Sequence, residues 1–168
     1  MERETEAIVA EIKSLLAELR SKGVSESLID ELVAQQGIEG KIILDDKGCL
    51  NLPDFGNVKI RLNPMERTLY ILVMRYPDGV PSDELWRFYD ELCDIYGEQT
   101  VYEDPELIQN AIEAICDDYK TTLYTNVSRI KKKLVDKLGQ RAAGPYIITR
   151  DASGKYKIGV SRKLVSGF

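Results

Sequence analysis

The side chains best suited to chemistry in this 168-residue sequence are cations gathered near its C-terminal end. Residues 119–168 carry 12 lysines and arginines but only Asp136 and Asp151 as acids, whereas residues 1–118 carry 11 basic and 26 acidic residues. A basic third on an acidic body predicts that one face of the protein meets a polyanion. Mutual neutralisation of the two parts within the fold is the alternative.

The composition disfavours an enzyme. The sequence contains no histidine, which excludes histidine acid–base chemistry, Ser-His and Cys-His nucleophile pairs and histidine-ligated metals. Cys49, Cys93 and Cys116 are far apart and form no CxxC motif, so we expect reduced, buried thiols. No GxxxxGK[ST] or GxGxxG phosphate loop occurs. We therefore predict no catalytic residue, no bound metal and no cofactor.

One predicted helix, over residues 121–138, concentrates the cations. Its apolar residues recur at spacings of four, three and four, at Leu123, Val127, Ile130 and Leu134, and should face the core. The other positions carry short polar side chains early and cations later: Thr122, Thr125, Asn126, Ser128, Arg129, Lys131, Lys132, Lys133 and Lys137. Such a helix suits a DNA major groove, where polar groups read base edges and cations hold phosphates. A solvated helix face is the alternative.

A second basic element follows directly. The segments YIIT (146–149) and KYKIGV (155–160) flank the turn RDASG, a pattern that predicts a β-hairpin over 146–160. Arg150 and Lys155 lie at its tip, and Lys157 lies alongside. A helix followed by a basic hairpin favours nucleic-acid binding, because the hairpin can reach an adjacent groove or backbone. A surface turn with incidental charge is the alternative.

The elements before residue 121 must position the basic helix and the hairpin. The segments 41–44, 49–52 and 57–62 alternate apolar and polar residues around turns and predict a small antiparallel sheet. Asn63, Pro64 and Glu66 form a strong helix start with a capping box. A second helix is expected to begin at 81–84 and a third at Asp104 and Pro105, before the basic helix ends at Gly139 in a left-handed stop.

Residues 1–38 read as a separate helical arm, and residues 39–168 as the main domain. Ile8, Ile12, Leu15 and Leu19 place one apolar stripe on the first arm helix, which Gly23 ends. A second short helix starts at Ser25, presents Leu28, Ile29, Leu32 and Val33, and ends at 36–37. A two-helix arm cannot bury such a stripe alone. It must dock on the main domain or pair with a second copy, which would make a homodimer through the N-terminal helices.

Three segments, in order, resemble the winged-helix DNA-binding output domain of bacterial response regulators of the OmpR/PhoB type. LNPMERTLYILVMRYPDGVPSDELW (62–86) is similar to the strand and first two helices of that domain, and NVSRIKKKL (126–134) to its recognition helix. YIITRDASGKYKI (146–158) is similar to its wing hairpin, with Tyr156 as the closing aromatic residue. The resemblance covers about residues 40 to 160. It implies an α+β fold with a winged helix-turn-helix core, a small N-terminal antiparallel sheet and a C-terminal β-hairpin wing, preceded by the helical arm.

The resemblance also implies a DNA-binding site. The helix cations Arg129, Lys131 and Lys132 would contact the DNA backbone or bases. The short polar residues Thr125, Asn126 and Ser128 would lie close to the groove. Arg150 and Lys155 would contact DNA from the wing. The chain departs from the family in residues 97–120, where an added helix replaces a short loop that can contact RNA polymerase, so that role is not carried over. The wing turn is also less glycine-rich. We expect no receiver domain, because the arm is too short to form one.

We therefore predict a cytoplasmic transcriptional regulator that binds double-stranded DNA, with helix 121–138 in the major groove and hairpin 146–160 as the wing. The acidic N-terminus lacks the pattern of a signal peptide, and no apolar run is long enough to cross a bilayer. The alternative is a winged-helix protein–protein interaction module without DNA binding. Its expected contact surface is the acidic helix 83–95, which carries Asp83, Glu84, Asp90, Glu91 and Asp94.

Overall fold

A computed structural model describes residues 2–29, 39–117 and 121–168 of the chain. In chain order the elements are α1 (Glu2–Ser21), β1 (Ile42–Leu44), β2 (Cys49–Leu52), β3 (Val58–Arg61), α2 (Pro64–Arg75), β4 (Val80–Pro81), α3 (Tyr89–Gln99), α4 (Pro105–Cys116), α5 (Thr122–Leu138), α6 (Gln140–Ala143), β5 (Ile148–Arg150), β6 (Lys155–Ile158) and β7 (Val165–Ser166). Helices and two small sheets together confirm the predicted α+β class. The chain divides into two compact units, Met1–Ile38 and Glu39–Phe168.

The first unit begins with α1, whose 20 residues end just before Gly23. Gly23 has a φ of +78°, which a glycine adopts without strain. The predicted cap at Ser25 is confirmed, because the N–H of Leu28 donates to Ser25 Oγ at 3.3 Å. Residues 26–29 are helical, and Leu32, Val33 and the expected end at 36–37 lie outside the described residues. On α1 the side chains of Ile8, Ile12 and Leu15 are each more than half exposed.

The second unit contains a four-stranded sheet of order β3-β2-β1-β7. Strands β1, β2 and β3 form the predicted antiparallel meander, with Ile43 opposite Asn51 and Leu50 opposite Ile60. Strand β7 joins the other side of β1 in parallel, with Ile42 opposite Val165. The sequence does not predict this last pairing, because β7 is only two residues long and too short for an alternating pattern.

The helix α2 starts as predicted and occupies the centre of the core. Asn63 Oδ1 accepts the N–H of Glu66 at 2.8 Å, and Glu66 Oε2 accepts the N–H of Asn63 at 2.9 Å, which completes the capping box. Its residues from Thr68 to Met74 are all buried. The helix packs against α3, α5 and β6, so it sets the position of the basic helix and of the hairpin.

The segment after α2 differs from the prediction of one helix opening at 81–84. Val80 and Pro81 form β4, which pairs with β6, and a 3₁₀ helix over Leu85–Phe88 precedes α3. The N–H of Ser82 donates to the carbonyl of Gly154 at 3.2 Å. Since this bond ties the segment to the hairpin, the regular helix begins only at Tyr89.

The helix α4 is confirmed, with Asp104 Oδ1 accepting the N–H of Glu106 at 2.9 Å. The end of α5 differs from the prediction. Gly139 has φ +82° and ψ 163°, which lies outside the left-handed helical region, and the chain turns directly into the short helix α6. A positive φ still favours glycine at this position.

The C-terminal hairpin is confirmed over β5 and β6, but it begins at Ile148 rather than at residue 146. Tyr146 lies in a 3₁₀ helix over Gly144–Tyr146 and is fully buried. Its hydroxyl donates to the Gly40 carbonyl at 2.7 Å and accepts the Gly40 N–H at 2.6 Å. These bonds hold the residue inside the core and out of the strand. With β4 the hairpin makes a second sheet of order β4-β6-β5.

None of the helices within the described residues combines the length and hydrophobicity that a bilayer span requires.

Candidate nucleic-acid interface

The helix α5 has one buried and one polar face. Ile130 and Leu134 are fully buried, and Leu123 and Val127 pack against the core, as their spacing predicts. The exposed positions are Tyr124, Ser128, Arg129, Lys131, Lys132, Asp136 and Lys137. The helix therefore presents a mainly cationic face to solvent while its apolar stripe anchors it on α2.

Asn126 lies among the buried residues rather than on the exposed face. Its side chain is 6% exposed, and its amide donates to the carbonyl of Thr122 at 2.9 Å. Position 126 follows Leu123 by three residues and precedes Ile130 by four, which puts it at the edge of the apolar stripe. Thr125 is half-buried, so Ser128 is the most accessible of the short polar residues predicted for the groove.

Lys133 is used inside the unit. Its Nζ lies 2.5 Å from Glu66 Oε2 and donates to the carbonyl of Arg61 at 3.1 Å. The Glu66 side chain is 1% exposed. The lysine thus neutralises a buried carboxylate that also caps α2, and this one cation of the KKK run is not free for a ligand.

Lys132 is paired on the surface. Its Nζ lies 2.6 Å from Asp136 Oδ2, and both side chains are exposed. An exposed pair of this i,i+4 type contributes about 0.3–0.5 kcal/mol. Because an exposed pair is this weak, it does not block a contact between Lys132 and a polyanion.

The hairpin tip is organised by Asp151. Its Oδ1 accepts the Ser153 hydroxyl at 2.6 Å and the N–H groups of Ser153 and Lys155 at 2.9 and 3.0 Å. Its Oδ2 lies 3.1 Å from Lys157 Nζ. The Ser153 hydroxyl, the Lys155 N–H and Lys157 hold the pKa of the Asp151 carboxyl well below its usual range. The carboxyl group is therefore ionised at neutral pH and accepts these hydrogen bonds as a carboxylate.

The fold brings the two basic elements into one unit, with α5 packed against β5. Arg150 at the end of β5 is exposed, and Lys155 at the start of β6 is half-buried. Tyr124 was missed by the sequence reasoning, and its ring is among the most exposed large apolar groups of the described residues. The sequence feature that could have identified Tyr124 is its position outside the apolar stripe of α5, which predicts an exposed aromatic ring.

The acidic segment 83–95 is partly neutralised within the unit. Glu91 lies 3.2 Å from the Arg75 guanidinium and accepts the Tyr76 hydroxyl at 2.6 Å, and Glu84 pairs with Arg87. Asp83, Asp90 and Asp94 are exposed. Trp86 is 51% exposed and stacks on Tyr89 with ring centroids 5.6 Å apart.

In the described parts of the chain no group of three or more His, Cys, Asp or Glu residues could hold a metal ion. Comparison of the chain with protein-family models, with curated proteins and with solved structures finds no match in any of the three.

Proposed function

We propose that this protein is a cytoplasmic transcriptional regulator that binds double-stranded DNA through a winged helix-turn-helix core. The observation that carries the proposal is the exposed face of α5. Arg129, Lys131 and Lys132 are exposed there together with Ser128, opposite the buried Ile130 and Leu134. In this arrangement α5 enters the major groove, and the hairpin of β5 and β6 touches the flanking DNA as the wing.

The order and pairing of the elements support the winged-helix interpretation. Helices α2, α3 and α5 pack around one core, and β4, which lies between α2 and α3, pairs with the hairpin that follows α5. The four-stranded sheet precedes them in the chain except for β7. The added helix α4 stands where the resembling family has a loop, so no polymerase contact is proposed here.

The dimensions and chemistry of α5 also fit. Its 17 residues span about 25 Å at 1.5 Å per residue, and a major groove admits one helix. Ser128 and Arg129 supply groups that hydrogen-bond base edges, and Lys131 and Lys132 supply charge for phosphates. On the wing, the fixed turn around Asp151 holds Arg150 and Lys155 at its two ends.

The test replaces Arg129, Lys131 and Lys132 with alanine and measures binding to a mixed-sequence duplex by fluorescence anisotropy over a salt series. We expect weaker binding and a shallower dependence on salt, because fewer counterions are released. The matched control replaces Lys41, Lys47 and Lys59, three exposed lysines outside α5. Equal losses in both triple variants would show an effect of net charge alone, and unchanged affinity in the first would remove α5 as the DNA-binding surface.

One observation favours a second candidate, a protein-interaction module. The half-exposed Trp86 is stacked on Tyr89 beside the exposed Asp83 and Asp90, and exposed aromatic side chains are enriched in protein interfaces. Two results together would favour this function over DNA binding. The wild-type protein would bind no duplex at low salt, and it would capture a protein partner that the Trp86→Ala variant does not capture.

A further inference from the structure

A groove on the second unit shares Arg129 with the proposed DNA-binding face of α5 and is otherwise lined by residues outside that face. It has a volume of about 850 Å³ and lies among the start of α2, the end of α3, the helix α4 and the first half of α5. Its apolar lining includes Leu62, Met65, Tyr96, Val101, Ala111 and Ala114. A volume of this size falls within the range of about 300–1,000 Å³ typical of small-molecule sites, which are lined mainly by apolar side chains.

The charged residues that line this groove are all cations. They are Arg61, Arg67, Arg129 and Lys133, and no acid of the described residues joins them. Lys133 is committed to Glu66. Arg61 and Arg129 are exposed and have no side-chain hydrogen bond or ion pair within residues 2–29, 39–117 and 121–168. Two guanidinium groups therefore remain available for a ligand.

Arg67 adds a third positive charge to the lining of the groove. Its two terminal nitrogens donate to the carbonyls of Lys47 and Gln99 at 3.2 and 2.8 Å, which fixes the guanidinium. Its Nε is buried and has no hydrogen-bond partner among the described residues. Because this Nε is itself buried, a ligand in the groove would not reach it, and Arg67 contributes positive charge rather than a hydrogen bond.

We infer that this groove binds a small organic anion that has an apolar body and one acidic group. The apolar lining would cover the body of the ligand, and the guanidinium groups of Arg61 and Arg129 would hold its carboxylate or sulfonate, since guanidinium pairs with oxyanions through two parallel hydrogen bonds. An inorganic anion would leave the apolar lining unused. The inference goes beyond DNA binding and stands on the groove alone.

The test uses the full chain and the fluorescent anion 8-anilinonaphthalene-1-sulfonate, with the uncharged N-phenyl-1-naphthylamine as its matched neutral probe. We expect saturable binding of one sulfonate per chain and tighter binding of the anion than of the neutral probe. Arg61→Gln and Arg129→Gln should each lower the affinity for the anion about tenfold, which is the effect of losing one charge-assisted hydrogen bond. The affinity for the neutral probe should not change.

Lys131→Gln and Lys137→Gln are the controls, since they remove the same charge from α5 without lining the groove. Equal weakening by the arginine and lysine variants, equal affinity of the two probes for the wild-type protein, or no saturable binding would each overturn the inference. The comparison of the two probes on the wild-type chain needs no substitution, so it decides the matter even where a variant fails to fold. None of these outcomes depends on whether α5 binds DNA.

Discussion

At the scale of single residues, the three consecutive lysines of α5 have two different roles, because two of them face solvent and Lys133 pairs with a buried carboxylate. Lys131 and Lys132 are exposed, whereas Lys133 lies 2.5 Å from the buried carboxylate of Glu66. The carboxylate also accepts the N–H of Asn63. Removing the lysine would leave a buried negative charge with one neutral donor, which is a costly state.

We expect Lys133→Met to lower the free energy of unfolding by about 1–3 kcal/mol, because a buried charge loses its partner while the Asn63 N–H remains. The measurement is urea unfolding followed by circular dichroism. The matched control is Lys137→Met, one turn further along the same helix, which is exposed and should change stability by less than about 0.5 kcal/mol. A similar small effect for both would mean that the Lys133–Glu66 pair contributes nothing net.

The sequence could predict the exposed cations of α5 but not the role of each. Its apolar period places 131, 132 and 133 in three directions around the helix, and it correctly assigns Ile130 and Leu134 to the core. The apolar period cannot predict that Lys133 faces Glu66, because tertiary packing brings these two distant residues together. The burial of Asn126 is not predictable for the same reason, since it depends on the neighbouring elements.

At the scale of elements, the hairpin depends on one carboxylate for the shape of its turn. Asp151 accepts hydrogen bonds from Ser153 and Lys155 and contacts Lys157. The Ser153 hydroxyl and the other donors lower its pKa in the folded protein. The stabilisation from a lowered carboxyl pKa is fully present above the unfolded pKa of about 3.9 and is lost as the pH falls through the folded value.

We therefore expect the turn to keep its shape from neutral pH down to about pH 4 and to loosen only in stronger acid. The measurement is a ¹³C NMR titration of the Asp151 carboxyl, compared with the pKa of about 3.9 of an aspartate in an unstructured peptide. Asp151→Ala should broaden or shift the amide signals of residues 152–155 at neutral pH. A titration midpoint at or above the peptide value of about 3.9 would contradict the hydrogen bonds to Asp151.

The helix α1 carries an exposed apolar stripe, with Ile8, Ile12 and Leu15 each more than half exposed. Removing such surface from water is favourable, and a second copy offers an identical surface. We expect sedimentation velocity to show association that increases with protein concentration and that Ile12→Lys abolishes. Lys13→Ala, an exposed change on the neighbouring position, is the control. A single monomeric species at every concentration would exclude pairing through α1.

Element starts were predictable where their signals are local. Asn63 with Glu66 and Asp104 with Glu106 make their caps within three residues, and both helices begin as expected. The misplaced boundaries depend on distant partners. Ser82 is bonded to Gly154, which delays α3, and Tyr146 is bonded to Gly40, which shortens the hairpin. Short-range pattern carries no information on such contacts.

At the scale of the whole second unit, two buried tyrosines connect its parts. The Tyr70 hydroxyl on α2 donates to the Tyr146 carbonyl at 2.7 Å, and the Tyr146 hydroxyl bonds both backbone groups of Gly40. Burial raises the pKa of both hydroxyls, so they stay protonated at physiological pH. The chain of bonds fixes the entry to the first sheet relative to the core helix.

We expect Tyr146→Phe to lower the free energy of unfolding by about 1–3 kcal/mol, because two buried backbone groups of Gly40 lose their partner. The control is Tyr156→Phe, since Tyr156 is also buried but its hydroxyl has no hydrogen bond within the described residues. Thermal unfolding of the two variants would measure the difference. Equal stability of both variants would mean that water or a shifted backbone replaces the Tyr146 bonds at little cost.

The parallel pairing of β7 with β1 joins the beginning and the end of the second unit. The meander of β1, β2 and β3 closes within residues 42–61, whereas β7 pairs Val165 with Ile42 across nearly the whole unit. Closing so long a loop is entropically costly until the intervening helices have packed. Gly167, where a Cβ would lie 2.2 Å from the Leu44 carbonyl oxygen, lets the two segments approach. We therefore expect β7 to pair with β1 late in folding, after the helices between them have packed.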